Sequence, residues 1–193
     1  MRMTKPAAIV LFLILFIPNV AHPGADPPEK ETTESSQRAQ RLYNAGYLLS
    51  LLGQYGEAIR LFDESLAIEP TAEAYTYKGW TYSHMGDFKR AIEEAEKAIR
   101  LDPDFGNPYN DIGVYLIELG KEAEAVPYLE KAMKAMRYCC YQFPHFNMGR
   151  IYIKKKQYEK AREEFKKSLA IDPAYEPARE ALEILQQMGL KET

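Results

Sequence analysis

Cys139 and Cys140, the two cysteines of the chain, are adjacent, and His145 follows five residues on in the stretch YCCYQFPHF. Residues of these types support three kinds of chemistry. Two thiolates and an imidazole are zinc ligands, but a structural zinc site takes four ligands and usually spaced cysteines, and no fourth ligand is at hand. Neighbouring cysteines also close on each other as a strained eight-membered ring, and in an oxidising compartment no other intrachain partner competes. The third reading is a pair of ordinary thiols in a bulged joint, because free cysteine behaves as a small hydrophobe. That third reading is the one expected, with a Cys139–Cys140 disulfide as the outcome to check and no metal.

Other chemistry is scarce. No phosphate loop, HExxH helix or nucleophile elbow is present, and the remaining histidines are His22 and His84. The runs KRAIEEAEKAIR and KKKQYEKAREEFKK have helical spacing and read as solvated faces. No base or charge partner for a thiolate is visible beside the cysteines. The chain is therefore not expected to be an enzyme or to need a cofactor. Its 193 residues are 46% hydrophobic and 27% charged with a net charge of −3, which is ordinary for a soluble protein. A nucleic-acid binder would show a basic excess, and the charge balance weakly disfavours membrane-surface binding too.

The start of the chain has a different character. Arg2 and Lys5 precede an apolar run of eleven residues from Ala7 to Ile17, followed by Pro18 and small residues at Ala21, Gly24 and Ala25. A charged start, a short apolar stretch and a small-residue exit describe a secretory signal peptide over residues 1–21. An uncleaved anchor is the alternative, although the run is short of the ~20 residues that span a bilayer as a helix. No cysteine stands near the exit to carry a lipid. The mature chain is expected to have no membrane span and to be periplasmic or secreted. Residues 22–37 hold three prolines and no aliphatic residue larger than alanine. Such a segment buries too little apolar surface to offset its ordering entropy, so it reads as a flexible linker.

From Ala39 onward the chain repeats itself. Gly46, Gly79, Gly113 and Gly149 recur in register, and Ala58, Ala91, Ala125 and Ala161 each follow twelve residues later. Pro70, Pro103 and Pro173 close three of the four units, and Arg137 stands at that place in the third. About two extra residues then precede the fourth unit, so the cysteines fall in a lengthened turn. Within a unit, Phe88, Ala91, Ile92, Ala95, Ala98 and Ile99 keep three- and four-residue spacing, while Glu93–Lys97 and Glu96–Arg100 are acid-first pairs on the outer face. These positions resemble the tetratricopeptide repeat, a helix–turn–helix unit of about 34 residues. The resemblance implies an all-α fold, an α-solenoid of four stacked units at about 39–71, 72–105, 106–141 and 142–175. One helix pair cannot bury its apolar stripe alone, so neighbours must stack and the ends must be capped. Residues 176–193 supply a C-terminal capping helix. There Ala178, Ala181, Leu182, Leu185 and Met188 form one stripe, Pro177 sits in the first turn, and Gly189 is a stop. A helix filling the groove is the alternative.

In this family the first helix of each pair lines a concave groove that binds another protein or peptide. The places that the resemblance carries over, with Tyr77 added, are Tyr43 and Tyr47 from the first unit, and Tyr77, Trp80 and His84 from the second. The third contributes Asn110, Val114 and Ile117, and the fourth Phe143, Phe146, Arg150 and Lys154. Trp80 is the sharpest candidate anchor, since aromatic residues dominate interface energetics; packing across a unit boundary is the other reading. An aromatic groove with polar interruptions suits an extended peptide or an amphipathic helix. Family members that clamp a terminal carboxylate use lysine and asparagine where this chain has Tyr43 and Tyr47, and Glu73 and Glu118 add negative charge. That ligand is not expected. Asn44 and Asn147 match the asparagine common at the sixth place. Arg150 and Lys154 read as a solvated face, with an acidic group as the alternative. His145 takes the large fourth place of its unit and so has a packing role. The segment PHFNMGRIY is similar to a stretch in exported repeat proteins of type IV pilus assembly, which usually carry a lipid-anchoring cysteine that is missing here. The expected function is a non-catalytic scaffold of the cell envelope, with a self-associating structural subunit or a pilus or secretion assembly factor as alternatives.

Overall fold

The computed structural model describes residues 33–188. The leader, residues 22–32 of the linker and Gly189 lie outside them. The described residues form helices and turns without strands. The first pair is α1 (Glu34–Leu51) and α2 (Tyr55–Ile68), the second α3 (Ala72–His84) and α4 (Phe88–Leu101). Next come α5 (Gly106–Glu118) with α6 (Glu122–Ala132), then α7 (Gln142–Lys154) with α8 (Tyr158–Ile171), and finally α9 (Glu176–Gln187). Helix α1 begins inside the segment expected to be a linker, because Thr33 caps it: its hydroxyl accepts from the Ser36 N–H at 3.2 Å.

Helices within a pair approach closely where the repeated glycine meets the second helix. A Cβ on Gly79 would lie 2.9 Å from the Ala91 carbonyl oxygen, a backbone atom that cannot yield. In the first two units the glycine meets the carbonyl of the alanine twelve residues later, whereas Gly113 and Gly149 face the side chains of Leu129 and Phe165. Second helices α2, α4 and α8 end at Glu69, Asp102 and Asp172, each extended, as the following proline demands. The turn inside each unit needs a left-handed residue, which is Gly53, Gly86 and Gly120 in three units and Lys156 (φ 57°) in the fourth. A side chain costs about 1 kcal/mol in that region. Lys156→Gly is therefore expected to raise the unfolding free energy by up to about 1 kcal/mol in urea titration. An unchanged or lower value would mean that Lys156 is not strained there.

Stacking buries one apolar seam through the middle units, with Ile112, Ile117, Leu129 and Ile151 fully enclosed. Lys78 is buried where the first two units meet and is ion-paired to Asp63 (2.7 Å) on α2 and Glu94 (3.3 Å) on α4. Helix α9 covers the fourth unit: Ala178 and Leu185 bury against Ala161 and Phe165, while Met188 stays exposed. Successive first helices touch, α1 to α3, α3 to α5 and α5 to α7, whereas successive second helices make no comparable contact. The stack therefore curves with the first helices on its inner side.

The third joint departs from this pattern more than its sequence suggested. Helix α6 stops at Ala132, so residues 133–141 separate it from α7, against 69–71, 102–105 and 172–175 elsewhere. From that joint Arg137 forms an isolated parallel β-bridge with Phe105, the last residue before α5. The Arg137 N–H donates to the Asp104 carbonyl (2.9 Å), and the Arg137 carbonyl accepts from the Gly106 N–H (3.1 Å). The guanidinium lies 3.9 Å from the Phe105 ring centroid and pairs with Asp102 and with Glu73 (2.7 Å). A proline at 137 would have no N–H for this bridge, which accounts for its absence. Cys139 and Cys140 are joined to each other as a disulfide rather than standing as two thiols. The Cys140 carbonyl accepts from the Phe143 N–H at 3.0 Å, which leads the chain into α7.

Candidate protein-binding groove

The inner face of the first two units carries a connected run of rings. Tyr77 meets Tyr43 at 5.8 Å and Tyr47 at 4.8 Å between centroids, both edge-on. Trp80 lies 6.5 Å from Tyr77 and 4.1 Å from His84, and His84 stacks on Tyr55. These contacts follow from helical spacing, since Tyr77, Trp80 and His84 are three and four residues apart on α3. Tyr47 is 37% exposed, and Tyr43, Tyr77 and Trp80 are half-buried, so the run offers apolar surface at the wall of the groove. Trp80 packs against rings of its own helix. Burial, then the phenol of Tyr77, pushes the Tyr43 hydroxyl well above its ordinary range.

The predicted residues of the later units behave differently. Ile117 is fully buried with Met148 and Ile151 and lines no groove, because α7 crosses over it. Asn110 is buried and its side-chain oxygen accepts from the Asn147 amide at 3.0 Å, so this pair ties α5 to α7. Val114 is half-buried against Tyr82 and Tyr115. Phe143 and Phe146 both meet Tyr175 at 5.4 Å, and Phe146 also packs on the core ring of Phe165. Arg150 pairs with Glu118 (2.6 Å) and Lys154 with Glu122 (2.8 Å), so these cations hold adjacent units together rather than forming a simple solvated face. An apolar pocket of about 430 Å³ lies between α7, α8 and α9, lined by Phe146, Ile153, Ile184 and Met188. His145 bonds to Glu164 (2.7 Å) as a packing residue; burial pushes Glu164 up, but the bonds from His145 and Lys167 outweigh it and hold the carboxyl low. Among the described residues no group of three or more His, Cys, Asp or Glu side chains is placed to hold a metal ion.

One groove residue escaped the sequence reading. Asp111 occupies the sixth place of the third unit, where Asn44 and Asn147 stand in the first and fourth. It is half-buried on α5, one of the first helices on the inner side of the stack. Burial pushes its carboxyl up to about 7, against the pull of the Asn110 amide beside it. The signal available in the sequence was the acid at a place where the first and fourth units carry amides and the second carries Tyr77.

A curved stack of helix pairs with an aromatic inner wall defines a helical-repeat interaction scaffold. Sequence models of the tetratricopeptide repeat match residues 39–72, 72–105, 109–137 and 143–175, more than half of the chain, and the chain belongs to that family. Members of the family bind other proteins, and the fold typically serves as a non-catalytic scaffold. The chain is 28% identical over 102 residues to small glutamine-rich tetratricopeptide repeat-containing protein 2 of Mycosarcoma maydis, covering 52% of this chain and 29% of that one. It is 27% identical over 105 residues to the photosystem I assembly protein Ycf3 of Acaryochloris marina, covering 52% and 63%. The matches thus span less than two thirds of either relative. Among solved structures, PilF of Pseudomonas aeruginosa superposes with a TM-score of 0.74 at 22% identity, covering 81% of this chain and 71% of that one. PilW, described as a type IV pilus biogenesis factor, superposes with a TM-score of 0.70 at 23% identity, covering 79% and 72%. Both are similar to this chain in fold. No described helix is long and apolar enough to cross a membrane.

Proposed function

We propose that the protein is an exported assembly scaffold that holds an apolar segment of a partner protein along the inner face of its first helices. The observation that carries this reading is the run of part-exposed rings from Tyr43 and Tyr47 through Tyr77 and Trp80 to His84. Large aromatic side chains concentrate binding energy, and a preformed groove leaves the partner as the component that orders on binding. The charged start and apolar run of the first 25 residues support export. Likeness in fold to PilF and PilW favours pilus or secretion assembly as the setting. Self-association through the outer face or the cap is the alternative.

The test is affinity capture from envelope extracts, followed by titration of the captured partner. Trp80 is the single tryptophan of the chain, so its fluorescence reports occupation of the groove. Trp80→Ala combined with Tyr47→Ala, titrated by calorimetry because the fluorophore is gone, is expected to weaken partner binding by about tenfold or more, with helical content unchanged. Undiminished binding would place the partner on another surface. A homo-oligomer indifferent to both changes would support self-association instead.

A further inference from the structure

The charges of the groove are almost all satisfied from within. Glu73 is taken by Arg137, Glu118 by Arg150 and Glu122 by Lys154. Asp111 has no ion-pair partner among the described residues, although it stands at the floor of the third of four units. The groups around it are neutral and polar. Helix α3 presents Tyr77 and the α6–α7 joint presents Tyr138, while α7, packed on the same helix, bonds its Asn147 to the neighbouring Asn110 and pairs its Arg150 with Glu118. Its own helix adds Asn110 and Tyr115. Tyr138 is 8% exposed, and its hydroxyl is buried without a hydrogen-bond partner among the described residues. Burial comes first in raising the Tyr77 and Tyr138 hydroxyls, and the Asp111 charge adds to it in both, so all three groups share one electrostatic neighbourhood.

An amide at this place would suffice for packing, as Asn44 and Asn147 indicate in their own units. A carboxylate there, enclosed and without a cation, is a charge left for something outside the chain to neutralise. Tyr77, whose hydroxyl feels the Asp111 charge, continues into the aromatic wall through Trp80, 6.5 Å away. A long cationic side chain can lay its apolar stem on such a wall while its head meets the carboxylate. We infer that the groove floor reads a lysine or arginine of the bound segment, with Asp111 as its counter-ion and the rings of Tyr77 and Trp80 as the surface its stem lies on. The inference rests on the groove being the binding surface and narrows the partner to an apolar segment with one buried basic residue. Because Asp111 releases its proton near neutrality, the preference is a property of the protein above about pH 7.

Short capped Leu/Phe/Ala peptides carrying one central lysine, arginine, norleucine or glutamate test this, with Trp80 fluorescence of the full chain as the readout. At about pH 8 the lysine or arginine peptide is expected to bind about tenfold more tightly than the norleucine peptide, and the glutamate peptide least well. Asp111→Asn should erase the difference and leave the norleucine affinity in place. At about pH 5.5 the wild-type preference should shrink for the same reason. Equal affinity for the lysine and norleucine peptides, or a preference that survives Asp111→Asn, overturns the assignment while the groove reading stands. If no peptide binds, the assignment and the groove reading fall together.

Discussion

Replacing Arg137 by proline, the residue that closes the other three units, is expected to destabilise the protein by about 3 kcal/mol rather than make it more regular. The bond from its N–H to the Asp104 carbonyl (2.9 Å) would be lost, leaving that acceptor to water. Its guanidinium would also leave Phe105, Asp102 and Glu73. The ion pairs contribute the smaller share, because Arg137 and Glu73 are each more than 40% exposed and solvent screens them. The stacked contact on Phe105 and the paired backbone contribute more. Arg137→Ala keeps the N–H and should cost about 1–2 kcal/mol. Urea unfolding of the two variants separates the contributions. Equal losses would show that the bridge contributes nothing, and no loss in either would remove Arg137 from the account of the joint.

Asp111→Asn is expected to do the reverse and stabilise the free protein by about 2 kcal/mol at pH 8, with the gain disappearing near pH 4. The sign follows from where the proton sits. In the unfolded chain an aspartate titrates near 4, whereas in the fold burial raises Asp111 to about 7. Between those values the native state holds a proton that the unfolded state has released, so stability falls as pH rises through the window. Above about pH 7 the whole penalty is present; below about pH 4 both states are protonated and aspartic acid is equivalent to asparagine. A rise from about 4 to about 7 would correspond to a ceiling of about 4 kcal/mol, and the partial opening to solvent reduces it. Other carboxylates, such as Glu122 and Glu164, are common to both proteins and cancel in the difference. Urea unfolding from pH 4 to 8 measures it. A constant difference across that range would mean that Asp111 ionises normally. A residue that lowers stability at neutral pH, where an amide would not, fits a binding role better than a structural one.

The repeats were readable because each rests on a local requirement. Gly79 is small because the Ala91 backbone is in contact with it, and Pro103 follows an extended Asp102. Such needs recur in most units and leave a periodic trace. The groove was less readable because a place within a unit does not say what the next unit lays over it. Ile117 has a ligand-facing place but lies beneath α7, and Arg150 and Lys154 find acids on α5 and α6 more than thirty residues away. The joint resisted for a related reason. The missing proline at Arg137 was visible, but the early end of α6 and the bridge to Phe105 depend on a contact with the preceding joint.

The Cys139–Cys140 bond differs in kind from most protein crosslinks. A disulfide usually stabilises by shortening a loop of the unfolded chain, and the benefit grows with the length enclosed. Here no loop is enclosed, so the bond removes almost no freedom from the rest of the molecule. It also needs no folding to bring its partners together. With two cysteines in the chain there is one intramolecular pairing, and oxidation before, during or after folding leads to the same covalent isomer. The covalent form of the longest joint between units can thus be set in the unfolded polypeptide, without any risk of locking in a wrong order of repeats.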